Sequence, residues 1–388
     1  MIYENVNRFD MDATGTVGVN VASKRIHVMH VVLNLDPGGL ENGVVNVVNG
    51  LDEREFISTV CCLQYAGAFA NRVHKRTTVF EMGHTTGNDL LLPVRLAAHI
   101  RRLRPDIVHT RNPEPYLYGF PAAILGGVKA IVHSEHGRSF PERPLRRWVQ
   151  RQFSRRTDLI FSLSQDLRKS LIKHIGIAPE KIEVLYNGVD LDKFRTTHAH
   201  DVRQRLNIDG KLVVGAVGRL VPVKNYALLI EAVYQLRQRF DVFLMLVGDG
   251  AERANLEALV AQRELQQRVV FLGHQDNVQD FVGAMDIFVL PSHDEGMSNT
   301  LIEALAAGVP CIASRVGGNP EVIRHRQDGL LFDSNDLRAL VEHLVLLCEN
   351  PQLRGRIAAN GRTRVEEDFS LQTMLVNYQN MYKRALHL

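Results

Sequence analysis

Short apolar runs alternate with helix-forming segments along most of the chain, and this alternation restricts the possible folds more than any other feature. The runs Arg25 to Leu33, Asp106 to Arg111, Leu212 to Val217 and Val242 to Val247 are rich in β-branched residues and are predicted to be strands. Helical segments lie between the strands. Strands that alternate with helices at this interval build parallel βα units, so the predicted fold class is α/β.

The length and composition are those of a two-domain globular protein. The chain has 388 residues, of which 45% are hydrophobic and 23% charged, and no apolar run approaches the roughly 20 residues that cross a bilayer. Residues 1–24 lack the basic start and apolar core of a signal peptide and are predicted to be a loosely ordered leader. The domains are predicted over 25–195 and 208–370, with loop character over 190–207 and a last helix within 371–388.

Cysteine and charge patterns narrow the compartment and the partners. The four cysteines lack metal-ligand spacing, and the adjacent Cys61 and Cys62 are expected to point to opposite faces of a strand. These features favour a reducing, cytoplasmic compartment. The net charge of +3 is too small to indicate nucleic acid binding, although residues 1–190 carry 24 Lys and Arg against 19 Asp and Glu.

The segment from Pro291 to Pro310 is predicted to form the centre of a functional site. It follows the apolar strand 286–290, and Ser298 is a suitable N-cap for the helix that begins after it. In a βα unit such a loop lies at the carboxyl end of the sheet, where open α/β sheets bind ligands. Unpaired amides at the helix start favour an anion there. The residues at this start are Ser298, Asn299, Thr300 and Leu301.

Two carboxylates, Glu295 and Glu303, frame this helix start. Either one alone could be an ordinary loop or surface charge, but with a glycine and small polar residues between them they indicate a site. A glycosidase is a weaker interpretation of the pair. Eight residues of helix span about 12 Å, whereas hydrolases hold their carboxyl groups roughly 5 to 9.5 Å apart. This difference disfavours a hydrolase but does not exclude one, because Glu295 lies outside the helix.

The pair also carries a resemblance to a known family. Glu295 and Glu303, with seven residues between them, resemble the signature of the retaining GT-B glycosyltransferases of family 4 (group 1). The resemblance extends from about Ile26 to the C-terminus and includes Gly218-Arg219 with Lys224-Asn225, and Asn187-Gly-Val-Asp190. It implies two Rossmann-like domains facing across a central cleft, with the C-terminal helix returning to the first domain.

The resemblance also implies roles for individual residues. Glu295 would contact hydroxyls of the donor sugar, Glu303 would hold the nucleotide ribose, and the helix start would receive the diphosphate. Arg219 and Lys224 would bind the same diphosphate and replace a metal ion, so no metal is expected. Further assignments come from the same resemblance: backbone of Gly38 and Gly39 beside the diphosphate, His136 reaching the donor sugar, and Gln275 near the nucleotide base.

Two of these features have simpler explanations. Gly38-Gly39 after the first strand could be a plain tight turn, and His136 could cap a strand end through a backbone hydrogen bond. His109 and His133 lie within predicted strands and are expected to be packing residues. The family resemblance favours the site interpretation for Gly38, Gly39 and His136.

The implied activity is retaining transfer of a hexosyl group from a nucleotide-sugar to a glycan or polyprenyl-linked acceptor. The segment GGLENGVVNVVNGL and the His-Gly-Arg tripeptide at 136–138 resemble sugar transferases of bacterial exopolysaccharide and exosortase loci, which suggests a UDP-linked donor and no other cofactor. Three other functions stay open. They are a GT-B nucleotide-sugar 2-epimerase, a non-catalytic sugar-nucleotide-binding protein and a dinucleotide oxidoreductase. The oxidoreductase is less favoured, because the Gly-x-Gly-x-x-Gly pattern is absent after the first strand of either domain.

Residues 143–156 are predicted to form a basic amphipathic helix. Leu145, Trp148, Val149 and Phe153 share one helical stripe, and arginines occupy much of the remaining surface. The helix could pack on its own sheet with a solvated basic back, or it could face anionic lipid on the inner side of the cytoplasmic membrane. The residues expected to contact lipid are Arg143, Arg146, Arg147, Trp148 and Arg151.

Overall fold

The computed structural model describes residues 25–85, 87–137, 143–195 and 198–388. The predicted leader and Arg138 of the His-Gly-Arg tripeptide lie outside the described residues. The strands and helices of the first half follow in this order: β1 (Ile26–Val32), α1 (Gly39–Gly50), β2 (Phe56–Cys62), β3 (Thr78–Glu81), α2 (Leu92–Leu103), β4 (Ile107–Arg111), α3 (Pro113–Gly126), β5 (Ala130–Glu135), α4 (Pro144–Ser154), β6 (Leu159–Ser162), α5 (Gln165–Ser170), β7 (Ile182–Val184), α6 (Leu191–Arg195) and α7 (Ala199–Leu206).

The second half repeats the alternation of strand and helix and ends in three helices. Its elements are β8 (Leu212–Val217), α8 (Tyr226–Leu236), β9 (Val242–Val247), α9 (Arg253–Gln262), β10 (Val269–Phe271), α10 (Val278–Gly283), β11 (Ile287–Leu290), α11 (Asn299–Ala306), β12 (Cys311–Ser314), α12 (Asn319–Val322), β13 (Leu330–Phe332), α13 (Leu337–Glu349), α14 (Pro351–Asp368) and α15 (Leu371–Ala385).

The strands form two sheets that are parallel throughout. The first has seven strands in the order β3-β2-β1-β4-β5-β6-β7, and the second has six in the order β10-β9-β8-β11-β12-β13. In each sheet the first strand of its half, β1 or β8, lies next to the strand at which the order reverses. The loops that follow β1, β4, β8 and β11 therefore meet at these switch points, where such sheets bind ligands. The predicted pair of Rossmann-like α/β units is confirmed.

Both faces of each sheet are covered, which explains why the strands are almost continuously apolar. In β2, Cys61 packs with Met29 and Leu96, whereas Cys62 packs with Val44 and Val60 in a separate cluster. The adjacent cysteines thus point to opposite faces, as predicted. Both are buried free thiols.

The C-terminal helix returns to the first sheet, as the family resemblance implied. Met374, Tyr378 and Tyr382 of α15 pack into one cluster with Val28 and Val132 of the first sheet. The chain crosses between the two halves at two places that are paired with each other. Val189 N–H donates to Phe369 O at 2.9 Å, and Leu371 N–H donates to Val189 O at 2.8 Å.

The segment 190–207 is more regular than the sequence suggested, since it contains α6 and α7 rather than a loop. Phe194 of α6 and Val202 of α7 are buried in the core of the second half. Leu191 and Leu206 pack against the same cluster. The prediction of loop character was wrong because the intervening polar residues concealed these four apolar positions.

Candidate active site

A cleft lies between the carboxyl ends of the two sheets and contains two adjoining cavities. The inner cavity, of about 350 Å³, is lined by residues that include His136, Lys224 and Glu295. The outer cavity, of about 640 Å³, is lined by residues that include Gln275 and Glu303. The residues shared by the two cavities are Pro37, Gly38, Gly39, Gly218, Arg219, Asn299 and Thr300. One elongated ligand could therefore occupy both.

The start of α11 forms the wall where the two cavities join. Ser298 is the N-cap, as predicted, and its Oγ accepts the N–H of Leu301 at 3.3 Å. The Leu301 side chain is fully buried in the core. Its amide is thus already occupied, which leaves the amides of Asn299 and Thr300 as the donors at the helix start nearest to the cavities.

Asn299 also connects the two halves of the molecule across the cleft. Its side-chain oxygen accepts a hydrogen bond from Asn187 Nδ2 at 2.8 Å, and its Nδ2 donates to Gly39 O at 3.2 Å. The helix start is thereby fixed against the loop that follows β1. Asn187 also lines the inner cavity, although the sequence indicated it only as part of the family motif at 187–190.

Lys224 and Glu295 form a direct ion pair in the inner cavity. Lys224 Nζ lies 2.5 Å from Glu295 Oε1, and the same oxygen accepts the Ser292 hydroxyl at 2.6 Å. The two side chains are only 18% and 9% exposed. The sequence placed both residues at one site but did not predict this pairing, which orients the carboxylate.

Glu41 lies beside the cleft, next to Gly38 and near Arg219, and the sequence did not single it out. It lies in the first turn of α1, and a side chain at Gly38 would collide with its carboxylate, at 2.2 Å from Oε2. Burial raises the pKa of Glu41, and the positive charge of Arg219 from the other half of the molecule opposes that increase. An acidic residue in the first turn of a helix is common, so no sequence signal separated Glu41 from an ordinary helix-start residue.

His136 lies directly after β5, where its backbone meets the loop that carries Glu295. A Cβ added to Gly296 would lie 2.6 Å from His136 O, so this approach requires glycine at position 296. Burial lowers the pKa of His136 well below its usual value, and the charge of Arg111 lowers it further. His136 is therefore neutral at physiological pH, and it contributes to the inner cavity as an uncharged ring.

Glu303 and Gln275 lie on the outer cavity. Burial raises the pKa of Glu303 to about 7, and the nearby charge of Lys193 opposes the increase. The Gln275 side chain donates from Nε2 to Leu272 O at 2.7 Å, which leaves its amide oxygen for another partner. Of the twelve predicted site residues, all except Leu301 line one of these cavities.

An Asp-x-Asp tripeptide, a pattern that can bring two carboxylates to one metal ion, occurs near the cleft at 190–192. Asp190 accepts the N–H groups of Asp192 and Lys193, at 3.1 and 3.5 Å, and so caps the start of α6. Asp192 is largely exposed and lies 3.2 Å from Arg195. The two carboxylates thus serve the cap and a surface ion pair. A second tripeptide of this kind, at 10–12, lies outside the described residues.

The basic helix α4 does not bury a single apolar stripe. Phe153 stacks on Phe120 with ring centroids 4.2 Å apart, but Leu145 and Trp148 are 72% and 60% exposed. The residues of α4 that are fully buried are Gln150 and Ser154. The apolar residues of the predicted stripe therefore divide between packing and solvent, so neither the packed nor the exposed alternative holds for the whole helix.

Comparison with known proteins identifies the family. A model described as glycosyl transferases group 1 matches residues 199–364, and a model of glycosyltransferase family 4 matches residues 37–193. Together the two matches cover most of the chain. The chain belongs to the family 4 glycosyltransferases. The predicted family is thus confirmed, and the cleft described above lies between the two matched regions.

Other proteins that resemble this glycosyltransferase match it over most of its length. It is 29% identical over 307 residues to UDP-Gal:alpha-D-GlcNAc-diphosphoundecaprenol alpha-1,3-galactosyltransferase of Escherichia coli, covering 76% of this chain and 79% of the relative. It is 28% identical over 361 residues to the lipopolysaccharide core biosynthesis glycosyltransferase LpsD of Rhizobium meliloti, covering 92% and 98%. The crystal structure of Anabaena Alr3699/HepE in complex with UDP-glucose matches with a TM-score of 0.83 at 22% identity, covering 93% of this chain and 100% of that one.

The structural match confirms the GT-B fold of the glycosyltransferase. Within the described ranges, no helix is both long enough and apolar enough to span a membrane.

Proposed function

We propose that this glycosyltransferase moves a hexosyl group from a UDP-sugar to a glycan or polyprenyl-linked acceptor in bacterial envelope polysaccharide synthesis. The observation that carries the proposal is the convergence of Arg219, Lys224, Glu295 and the start of α11 on cavities that lie between the two domains. The names of the relatives support the substrates: the Escherichia coli protein is named for a UDP-galactose donor and a diphosphoundecaprenol acceptor, and LpsD for lipopolysaccharide core synthesis.

The donor would lie along the two adjoining cavities. The nucleoside would occupy the outer cavity, with Gln275 near the base and Glu303 on the ribose. The diphosphate would lie against the α11 start, between the loop of Gly38 and Gly39 and the cations Arg219 and Lys224. The sugar would then point into the inner cavity toward Glu295 and His136.

Transfer would proceed with retention and without a metal ion. The bond between the anomeric carbon and the phosphate oxygen breaks, and its electron pair stays on the leaving diphosphate. The acceptor oxygen forms the new bond on the same face of the sugar and gives its proton to that phosphate oxygen. Arg219, Lys224 and the helix-start amides would stabilise the charge of the leaving group. Glu295, held through one oxygen by Lys224 and Ser292, would orient the sugar through its other oxygen.

The acceptor side would contact a membrane surface through α4, on the cytoplasmic side. The exposed Leu145 and Trp148, which the structure sets among arginines, favour this over a helix that only packs on its sheet. Each basic residue near an anionic surface contributes about 1 kcal/mol. A charge-reversed form of α4, called here the α4 variant, carries Arg146→Glu, Arg147→Glu and Arg151→Glu. A matched control places the same change on exposed sites of the second domain: Arg326→Glu, Arg338→Glu and Arg356→Glu.

Incubation with UDP- and GDP-sugars, with and without a lipid-linked acceptor, tests the function. A new α-glycoside with released UDP supports the proposal. Conversion of the donor alone to an epimer would instead support a 2-epimerase, and binding without turnover a sugar-nucleotide sensor. A β-linked product from a donor whose sugar is α-linked to the diphosphate would contradict retention.

A further inference from the structure

A network of buried polar side chains lies directly beneath His136. It joins the ends of three strands to the C-terminal helix, and its members other than His136 are almost completely buried. The proposed chemistry uses only His136. The remaining members are His30 of β1, His109 and Arg111 of β4, Ser134 of β5, and Tyr378 and Tyr382 of α15.

The guanidinium of Arg111 determines which ring nitrogens can carry hydrogen. Its Nη1 lies 3.5 Å from His136 Nε2, and its Nη2 lies 3.2 Å from His30 Nδ1. Arginine has hydrogen-bond donors only, so both of these nitrogens must be acceptors. The hydrogen of neutral His136 is therefore on Nδ1, and that of His30 is on Nε2. Both of these ring nitrogens are buried and have no hydrogen-bond partner among the described residues.

The donor and acceptor roles can then be assigned for each hydrogen bond from His136 to the C-terminal helix. Ser134 Oγ lies 2.9 Å from His136 Nε2, which carries no hydrogen, so the serine hydroxyl must donate to it. Ser134 Oγ then accepts from His109 Nε2 at 3.0 Å. With its hydrogen on Nε2, His109 uses Nδ1 to accept the hydroxyl of Tyr382 at 2.8 Å. Each contact has one donor and one acceptor only in this arrangement.

We propose that Arg111 and Ser134 are positioning residues that hold His136 as the neutral Nδ1–H tautomer, with the direction of the hydrogen bonds set by the Arg111 guanidinium and continued through His109 to Tyr382 of α15. The hydrogen on Nδ1 is then the ring's one donor; it is buried beside the inner cavity and has no partner among the described residues. Its use in binding rests on the proposed function, in which a hydroxyl or ring oxygen of the donor sugar accepts it once binding brings the sugar and the ring together. The C-terminal helix would thus support the active site chemically as well as by packing.

Nitrogen-15 NMR of the histidine side chains in the free protein tests the tautomer without any enzymatic assay. Long-range proton–nitrogen spectra distinguish a ring nitrogen that carries hydrogen from one that does not, and His136→Asn assigns the His136 signals by their loss. We expect the Nδ1–H form at neutral pH. A His136 signal from the Nε2–H form, or from the cation, would overturn the proposal whatever the activity of the protein.

Ser134→Ala tests the positioning role, and Ser162→Ala is its matched control. Ser162 is also fully buried, pairs in register with Glu135 on the neighbouring strand, and donates to Ser164 O at 3.0 Å. Ser134→Ala should shift the Nε2 signal of His136, increase the population of the Nε2–H form and lower kcat/KM by about threefold to tenfold, the size expected for loss of one neutral hydrogen bond. UDP affinity should stay unchanged. Equal effects of the two substitutions would contradict a positioning role.

Substitution of His136 itself provides the second kinetic test. The amide nitrogen of asparagine is as many bonds from the backbone as Nδ1, whereas that of glutamine corresponds to Nε2. His136→Asn should therefore retain more transfer activity than His136→Gln, and the opposite order would contradict the proposal. If the wild-type protein transfers no sugar, the proposed function fails while the NMR result still decides the tautomer.

Discussion

The half-buried carboxyl of Glu303 should make nucleotide binding depend on pH. Burial raises its pKa to about 7, so in the free protein a large share of molecules carry the proton at neutral pH. A ribose is best held by the ionised form, which accepts hydrogen bonds from two hydroxyls. A protonated Glu303 must then release its proton as UDP binds. The affinity for UDP should therefore increase as pH rises toward 7 and become constant above it.

The size of the effect follows from the pKa. Well below about pH 7, each further decrease of one pH unit should raise the Kd for UDP by up to tenfold, which corresponds to about 1.4 kcal/mol of binding free energy. The terminal phosphate of UDP also titrates, near pH 6. Glu303→Gln retains the shape of the side chain but has no proton to release, so the difference between wild type and Glu303→Gln isolates the carboxyl.

Isothermal titration calorimetry in buffers of different ionisation enthalpy would count the released protons directly. Equal pH slopes for wild type and Glu303→Gln would refute the reasoning.

Stability should change with pH in the opposite sense. Because the folded-state pKa of Glu303 is raised above the unfolded value of 4.5, the folded protein binds this proton more tightly than the unfolded chain does. The stabilisation is complete below the unfolded pKa and is lost as pH rises through about 7, with a total of at most about 3 kcal/mol. In thermal unfolding without UDP, Glu303→Gln should gain stability over wild type as pH rises across this interval.

Three further outcomes follow from the site. Glu295→Ala should abolish transfer and leave UDP affinity nearly unchanged, since the proposed partner of Glu295 is the sugar. If Glu295→Ala and Glu303→Ala lost UDP affinity equally, this division of roles would be rejected. Lys224→Ala should raise the barrier by about 2.7 to 4 kcal/mol, and EDTA should not reduce wild-type activity; activity that EDTA removes and magnesium restores would contradict the metal-free mechanism. The α4 variant should no longer sediment with anionic vesicles but should still glycosylate a short soluble acceptor, while the matched control sediments like wild type; salt should release the wild type.

The fold and most of the cleft could be predicted from sequence because the signals are local. Parallel strands covered on both faces must be apolar throughout, and the runs at β8 and β9 have the same bounds in the sequence and in the structure. Since ligand loops follow the carboxyl ends of such strands, the residues after β5, β8 and β11 could be assigned to one site before their positions were known. His136, Arg219 and Glu295 all lie on that site.

Predictions that required knowledge of packing were less successful. A helical stripe shows that apolar residues share a face, but it does not show whether anything covers that face. In α4 the stripe divides, with Phe153 packed and Trp148 exposed. The opposite error occurred at 190–207. This segment is polar on average and was predicted to be a loop, but its helices bury Phe194 and Val202.

The side-chain pairings that surround the proposed catalytic groups were beyond any sequence pattern. Tyr382 is 273 residues from His109, and Lys224 is 71 residues from Glu295. A motif identifies the residue that meets the ligand, because its position at a strand end or helix start is local. Its charge and tautomer are set by neighbours that only the fold brings together, such as Arg111 beneath His136. Because α15 reaches this network after crossing back from the second domain, substitutions in α15 could change catalysis without contacting the substrate.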